Sequence, residues 1–114
     1  MKTLTQIQLS PTDRAAIERA TAILRQQFPV ERVILFGSKA RGEDKPDSDI
    51  ELLVLTGKYL DGQQRSAVIR ALFDLQLELG VMLSPVIIEA EEWEHGVSQA
   101  LPLRKEVDRD GVLV

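Results

Sequence analysis

The sequence predicts an α+β (α/β) fold in which a small mixed β-sheet packs against helices. Short apolar runs rich in β-branched residues at 31–37, 49–55 and 81–90 predict three strands. Segments 10–28 and 61–79 carry apolar residues at helical spacing, which predicts two helices with apolar faces that can pack against the strands. A length of 114 residues suits a single domain with one modest core.

The first predicted element is the helix over residues 10–28. Ser10 can cap its start, Pro11 suits the first helical position, and Asp13 favours the positive end of the helix dipole. Apolar residues recur at helical spacing: Ala16, Ala20, Ile23, Leu24 and Phe28. Pro29 ends the helix, because the residue before a proline avoids the helical region.

The first two strands are predicted on either side of a polar loop. The run 31–37 has apolar residues on both faces, as a central strand does. The segment "SKARGE" at 38–43 suits one helical turn, and "DKPDS" at 44–48 suits a loop. The second strand is "DIELLVL" at 49–55.

The second half begins with the longest predicted helix, 61–79, which ends at Gly80. The third strand, 81–90, contains Pro85. A proline inside a strand indicates an edge strand, a bulge or the beginning of the strand. Two shorter helices complete the chain: 90–100, and a last one from about Pro102 to Gly111.

Composition excludes several classes of function. The net charge is −4, from 14 basic and 18 acidic residues, which argues against broad nucleic-acid binding. The absence of cysteine excludes disulfides and thiolate chemistry and favours a reducing compartment. Residues 1–13 lack a long apolar segment, and no run of about 18 apolar residues could span a membrane. We expect a soluble cytoplasmic protein with no membrane association.

Asp49 and Glu51 open the second strand as alternating acids. Side chains alternate along a strand, so both carboxylates share one face, with Cα atoms roughly 6.5 Å apart. Two carboxylates at this spacing can converge on one Mg²⁺, which prefers oxygen ligands and is usually shared with substrate phosphates. The alternative is a pair of acids at a solvent-exposed strand start.

Gly37 and Ser38 form a turn directly after the first strand. Glycine lets the backbone approach a ligand closely, and N–H groups that open a helical turn attract anions. Ser38 adds a hydroxyl, while Lys39 and Arg41 add positive charge nearby. A plain turn with solvated charges is the alternative. A phosphate cradle facing a magnesium-binding acid pair suits phosphoryl or nucleotidyl transfer.

These residues match a known family. Gly37-Ser38, ten residues and then Asp49-x-Glu51 resemble the Gly-Ser-x10-Asp-x-Asp signature of minimal nucleotidyltransferases (MNT), a branch of the DNA polymerase β superfamily. The segments "ARG" at 40–42 and "SDIELLV" at 48–54 also resemble the sequences that the family has at these positions. The resemblance covers about 12–110 of a single 1–114 domain and implies the nucleotidyltransferase fold of the polymerase β palm.

The resemblance also implies an activity and its residues. Gly37, Ser38 and Arg41 would bind the phosphates of ATP or another NTP. Asp49 and Glu51 would bind Mg²⁺ and act catalytically, so that an NMP, by expectation AMP, passes to a hydroxyl with loss of pyrophosphate. Similar proteins are often antitoxins paired with an all-helical HEPN-domain toxin, so the resemblance implies a HEPN partner, and a homodimer is the alternative.

This sequence departs from the family pattern at two positions. Glu51 stands where the second Asp is usual, one methylene longer. Ser84 aligns with a third carboxylate that completes a two-metal site in active relatives, and a serine cannot supply that charge. Glu89, five residues further on, could replace it only if a bulge at Pro85 reversed its direction. The alternative function is therefore a catalytically impaired binding module that binds a nucleotide or a partner protein.

Overall fold

The computed structural model describes all residues, 1–114, and contains five strands and five α-helices. In chain order these are β1 Lys2–Thr3, α1 Pro11–Gln27, β2 Val30–Phe36, α2 Ser38–Arg41, β3 Ile50–Thr56, α3 Gly62–Leu79, β4 Leu83–Glu89, α4 Ala90–His95, α5 Pro102–Asp110 and β5 Val112–Leu113. Two 3₁₀ turns, Leu4–Gln6 and Val97–Ala100, follow β1 and α4.

The strands form one mixed sheet in the order β1-β5-β2-β3-β4. β2 runs antiparallel to β3 and β5, whereas β3 and β4 are parallel and α3 connects them. A parallel pair needs a crossover of this kind. The predicted α+β architecture with a small mixed sheet is confirmed.

Helices cover both faces of the sheet. Residues of β2 and β3 alternate between two cores, as expected for central strands. One core lies beneath α1 and α3 and includes Leu24, Leu35, Leu52 and Leu72. The other core lies beneath α4 and α5 and includes Ile34, Leu53, Trp93 and Val107.

The helix ends follow the sequence signals. The Ser10 side chain accepts a hydrogen bond from the Asp13 N–H at 3.0 Å, and Pro11 occupies the first turn of α1. Asp61 caps α3 by accepting from the Gln64 N–H at 2.8 Å. Gly80 ends α3 in the left-handed region, with φ of +67°, where a side chain would be strained.

Three expectations needed correction. The segment 90–100 is not one helix, because α4 ends at His95 and a 3₁₀ turn follows. The short strands β1 and β5 were not expected, yet β5 pairs with β2 inside the sheet. No bulge occurs at Pro85, since the β3–β4 register is continuous from Leu83 to Glu89. Of the alternatives considered for Pro85, the edge strand is the one that the structure shows.

None of the helices is both long enough and apolar enough to cross a membrane.

Candidate active site

Glu51 lies in the middle of a row of three residues that crosses the sheet. β2 places Phe36 beside Glu51, and β4 places Ser84 on its other side. Direct neighbours in a sheet point to the same face. This face is the one covered by α4 and α5, because Phe36 belongs to their core.

Asp49 joins this row through a hydrogen bond. The Ser84 hydroxyl donates to Asp49 Oδ2 at 2.9 Å. Asp49 itself is exposed just before β3, whereas Ser84 and Glu51 are half-buried. The expected shared face of Asp49 and Glu51 is therefore present, and Ser84 adds a neutral donor where a third carboxylate was anticipated.

Gly37 brings the Gly-Ser turn against Glu51. Its φ of +80° and ψ of −161° define a region that is essentially restricted to glycine. A Cβ at this position would lie only 2.8 Å from Glu51 Cδ and would collide with the carboxylate oxygen. Gly37 is therefore required both by its backbone angles and by the close approach of the Glu51 side chain.

Ser38 opens α2, a single turn of four residues. The N–H groups of Ala40 and Arg41 bond to the Gly37 carbonyl at 3.1 and 3.2 Å. The N–H groups of Ser38 and Lys39 stand at the start of the turn, where no acceptor within the helix is available. Ser38 is half-buried.

Lys39 does not supply free positive charge to this turn. Its side chain is only 2% exposed, and its ammonium donates to Asp13 at 2.7 Å and to Asp44 at 3.0 Å. Burial lowers the pKa of Lys39, but hydrogen bonds and charges from both aspartates outweigh burial and leave the pKa above its ordinary value. Lys39 thus anchors α2 to α1 and to the following loop.

Arg41 is held by three carboxylates from two segments, the loop after α2 and α5. It donates to Glu43 at 3.1 Å and to Glu106 at 3.3 Å, and Asp110 lies 4.0 Å away. Glu106 and Asp110 belong to α5, so this helix is tied to the Gly-Ser turn through Arg41. Sequence reasoning did not find Glu106, because a single glutamate on a polar helix carries no local signal.

Glu51 is electrostatically unfavourable when ionised. Burial raises its pKa, the carboxylates of Glu106 and Asp49 raise it further, and Arg41 opposes them. The folded protein therefore holds the Glu51 proton more tightly than the unfolded chain. This group reduces the stability of the fold as the pH rises from the ordinary value of 4.5 through the raised pKa.

We expect Glu51→Gln to increase the melting temperature at pH 7 by a few degrees in the absence of nucleotide and metal. The advantage should vanish near pH 3, well below the ordinary value of 4.5, because wild-type Glu51 is then protonated in both the folded and the unfolded state. Thermal unfolding measured across this pH range tests the prediction. Glu18→Gln, an exposed acid on α1, is the control and should leave the curve unchanged. An equal gain for Glu51→Gln at both pH values would contradict the assigned cause.

Glu89 lies outside the site. It pairs with Thr56 at the far end of β4, whereas Ser84 pairs with Glu51 near its beginning. The continuous register also turns Glu89 toward the opposite face from Ser84. Because no bulge occurs at Pro85, the expectation that Glu89 could replace the missing carboxylate is wrong.

The site contains two carboxylates that could hold one phosphate-bound Mg²⁺. No three histidine or carboxylate side chains in the chain are arranged to hold a metal. Mg²⁺ commonly takes one or two protein carboxylates and completes its shell with water and substrate phosphates. Asp49 and Glu51 meet that requirement, and their mutual repulsion is what a bound cation would relieve.

The chain belongs to the nucleotidyltransferase domain family, whose sequence profile matches residues 17–108. The more specific likeness is to minimal nucleotidyltransferases, as expected from the sequence. A solved structure described as a "putative minimal nucleotidyltransferase" is 30% identical, with a TM-score of 0.59. The match covers 89% of this chain and 91% of that one.

A protein of Methanocaldococcus jannaschii, named "putative protein adenylyltransferase", is 33% identical over 58 residues. This match covers 51% of the chain and only 59% of the relative.

Toxin–antitoxin complexes share the fold. One, solved with AMP-PNP, has a TM-score of 0.60 at 22% identity. The match covers 84% of this chain and 69% of the matched chain. Another contains a tri-AMPylated Shewanella oneidensis HEPN toxin in complex with an MNT antitoxin. Its TM-score is 0.58 at 20% identity, over 89% of this chain and 70% of the other.

Proposed function

We propose that this protein is a Mg²⁺-dependent nucleotidyltransferase that moves AMP from ATP onto a hydroxyl of a partner protein. The observation that supports it most directly is the meeting of the Gly-Ser turn with the acid pair. The Glu51 carboxylate lies against Gly37, and Asp49 is linked to the same row of residues through Ser84.

Each residue has a defined task in this proposal. The Gly37-Ser38 turn would bind the phosphates through backbone N–H groups and the Ser38 hydroxyl. Arg41 would add positive charge, for which its contacts with Glu43 and Glu106 have to loosen. Asp49 and Glu51 would hold Mg²⁺, which neutralises triphosphate charge when bound. In the transfer itself, the acceptor hydroxyl oxygen forms a bond to the α-phosphorus of ATP, and the hydroxyl proton passes to solvent. The bond from the α-phosphorus to the bridging oxygen breaks, and pyrophosphate leaves.

The acceptor is proposed to be a side-chain hydroxyl of a HEPN-domain protein. The support is the M. jannaschii relative, named as a protein adenylyltransferase, and the fold shared with an antitoxin bound to an AMPylated HEPN toxin. The experiment incubates the protein with α-labelled ATP, Mg²⁺ and a HEPN-domain protein. Label on the partner is expected. Loss of that label with the Ser38→Ala variant would indicate that the reaction uses the Gly-Ser turn. No transfer with any such partner would refute the proposal.

A second candidate is a nucleotide-binding module with impaired catalysis. Ser84 favours it, because its hydroxyl replaces the third carboxylate and hydrogen-bonds Asp49. Calorimetry with ATP and Mg²⁺ separates the two: binding without any turnover supports the module, whereas turnover excludes it.

Ser84→Asp provides a direct test of the missing carboxylate. The new acid would lie beside Asp49 and Glu51, so without metal we expect a lower melting temperature from charge repulsion. With Mg²⁺ and ATP we expect the stability to recover and any transfer rate to rise, by roughly tenfold or more, since a single electrostatic group can be worth 10²–10³-fold. Ser84→Asn, similar in size but neutral, is the control. A rate unchanged in Ser84→Asp would show that position 84 does not limit the reaction.

A further inference from the structure

An apolar stripe runs along the outer surface of α3. It consists of Ile69, Phe73 and Leu77, which recur at every fourth position and are 51%, 51% and 69% exposed. Residues spaced by four share one side of a helix. Their neighbours Val68, Leu72 and Leu75 are buried against the sheet, so the stripe points away from the core. Three large apolar side chains in one row are typical of an interaction surface.

The edge of the sheet beside α3 is closed to strand addition. Gln76 accepts a hydrogen bond from the Leu83 N–H at 2.6 Å, and Arg65 donates to the Ile87 carbonyl at 3.2 Å. Pro85, on the same outward side of β4, has no N–H to donate. These three features hinder the pairing of another strand with the edge of β4. A partner that covers this region therefore has to pack on α3 rather than extend the sheet.

Charges beside the stripe are complementary to those of a second copy. Arg70 and Asp74 flank the stripe on one side, and neither forms an ion pair within the chain. A two-fold axis through Phe73 packs two α3 helices antiparallel and places the same flank of both copies together. Ile69 then meets Leu77 of the other copy. Along the helix axis, Arg70 of each copy then lies about two residues, or about 3 Å, from Asp74 of the other copy.

From this self-complementarity we propose that the protein forms a two-fold dimer through the α3 stripe, with Phe73 at the centre and reciprocal Arg70–Asp74 pairs at the side. The interface lies on the opposite side of the sheet from Asp49 and Glu51, because α3 covers one face and the site faces α4 and α5. Dimerisation therefore leaves the candidate active site of each copy accessible, and it does not depend on the proposed activity.

The test measures mass in solution by sedimentation equilibrium over a concentration series. The wild-type chain should reach twice the monomer mass of 12.8 kDa. Phe73→Glu should raise the dimer dissociation constant by at least about 30-fold, as expected for a central hot-spot residue. Val97→Glu, at a 79% exposed valine outside the stripe, should leave the mass unchanged. Both positions are exposed, and thermal melts confirm that each variant is folded.

A charge swap tests the geometry. Arg70→Asp should weaken the dimer roughly fivefold, since two exposed ion pairs become repulsive. Adding Asp74→Arg to that variant should restore the wild-type constant, because the pairs re-form with reversed sign. A monomeric wild-type chain at high concentration overturns the proposal. A dimer that is insensitive to Phe73→Glu, or not rescued by the double swap, also overturns it.

Discussion

Asp49→Asn is expected to reduce AMP transfer by about 10²- to 10³-fold, the loss typical of removing one preorganised electrostatic group. Asparagine has almost the same shape and can still accept the hydrogen bond that Ser84 now donates to Asp49 at 2.9 Å. The fold and the position of the side chain should therefore be kept. What disappears is one negative charge at the place proposed for the cation.

The readout is single-turnover transfer of labelled AMP, together with ATP affinity measured with and without Mg²⁺. We expect the Mg²⁺-dependent part of the affinity to fall and the Mg²⁺-independent part to remain. Asp47→Asn is a matched control, since it removes the same charge from an exposed loop residue two positions earlier. If Asp47→Asn and Asp49→Asn weaken transfer equally, the effect comes from overall charge and the metal assignment is wrong.

The elements that sequence analysis predicted correctly all carry local signals. Ser10 and Pro11 mark the start of α1, Gly80 marks the end of α3, and Pro85 marks the edge strand. Each of these residues restricts its own backbone, so its effect does not depend on distant contacts. β5 was missed because two residues show no periodicity, and Val112 is a strand residue only through its pairing with Leu35.

The candidate site was predictable where it depends on one strand and one turn. The alternation of Asp49 and Glu51 follows from strand spacing. Gly37 indicated a close approach to a ligand, and the structure places the Glu51 side chain against it. The residues that contact the site come from distant segments of the chain, so no local sequence pattern predicts them. Glu106 lies 65 positions from Arg41, and Asp13 lies 26 positions before Lys39. Such contacts exist only after the sheet has brought α1 and α5 beside α2.

Lys39 is the residue whose role differs most from its sequence interpretation. Its buried ammonium sits between Asp13 of α1 and Asp44 of the loop after α2. Removing one member of a buried ion group leaves charge without compensation and typically costs 3–5 kcal/mol. Because Asp13 and Asp44 retain 13% and 30% side-chain exposure, water can relieve part of this cost.

We therefore expect Lys39→Met to lower the free energy of unfolding by about 3 kcal/mol, the low end of that range. The melting temperature should fall by roughly 10 °C or more in a domain of this size. Denaturant unfolding at pH 7 measures the change. Because its partners raise the pKa of Lys39, the stabilisation holds at neutral pH and is lost only as the pH rises above 10.5 through the raised value.

Lys45→Met is the control, since Lys45 is exposed in the same loop and forms no ion pair there. We expect it to change stability by less than about 0.5 kcal/mol. Asp44→Asn should have an intermediate effect, because Lys39 keeps its shorter contact with Asp13. This order of effects follows from burial of the ammonium. If Lys39→Met proves as mild as Lys45→Met, Lys39 does not anchor the Gly-Ser turn, and its charge becomes available for binding phosphate.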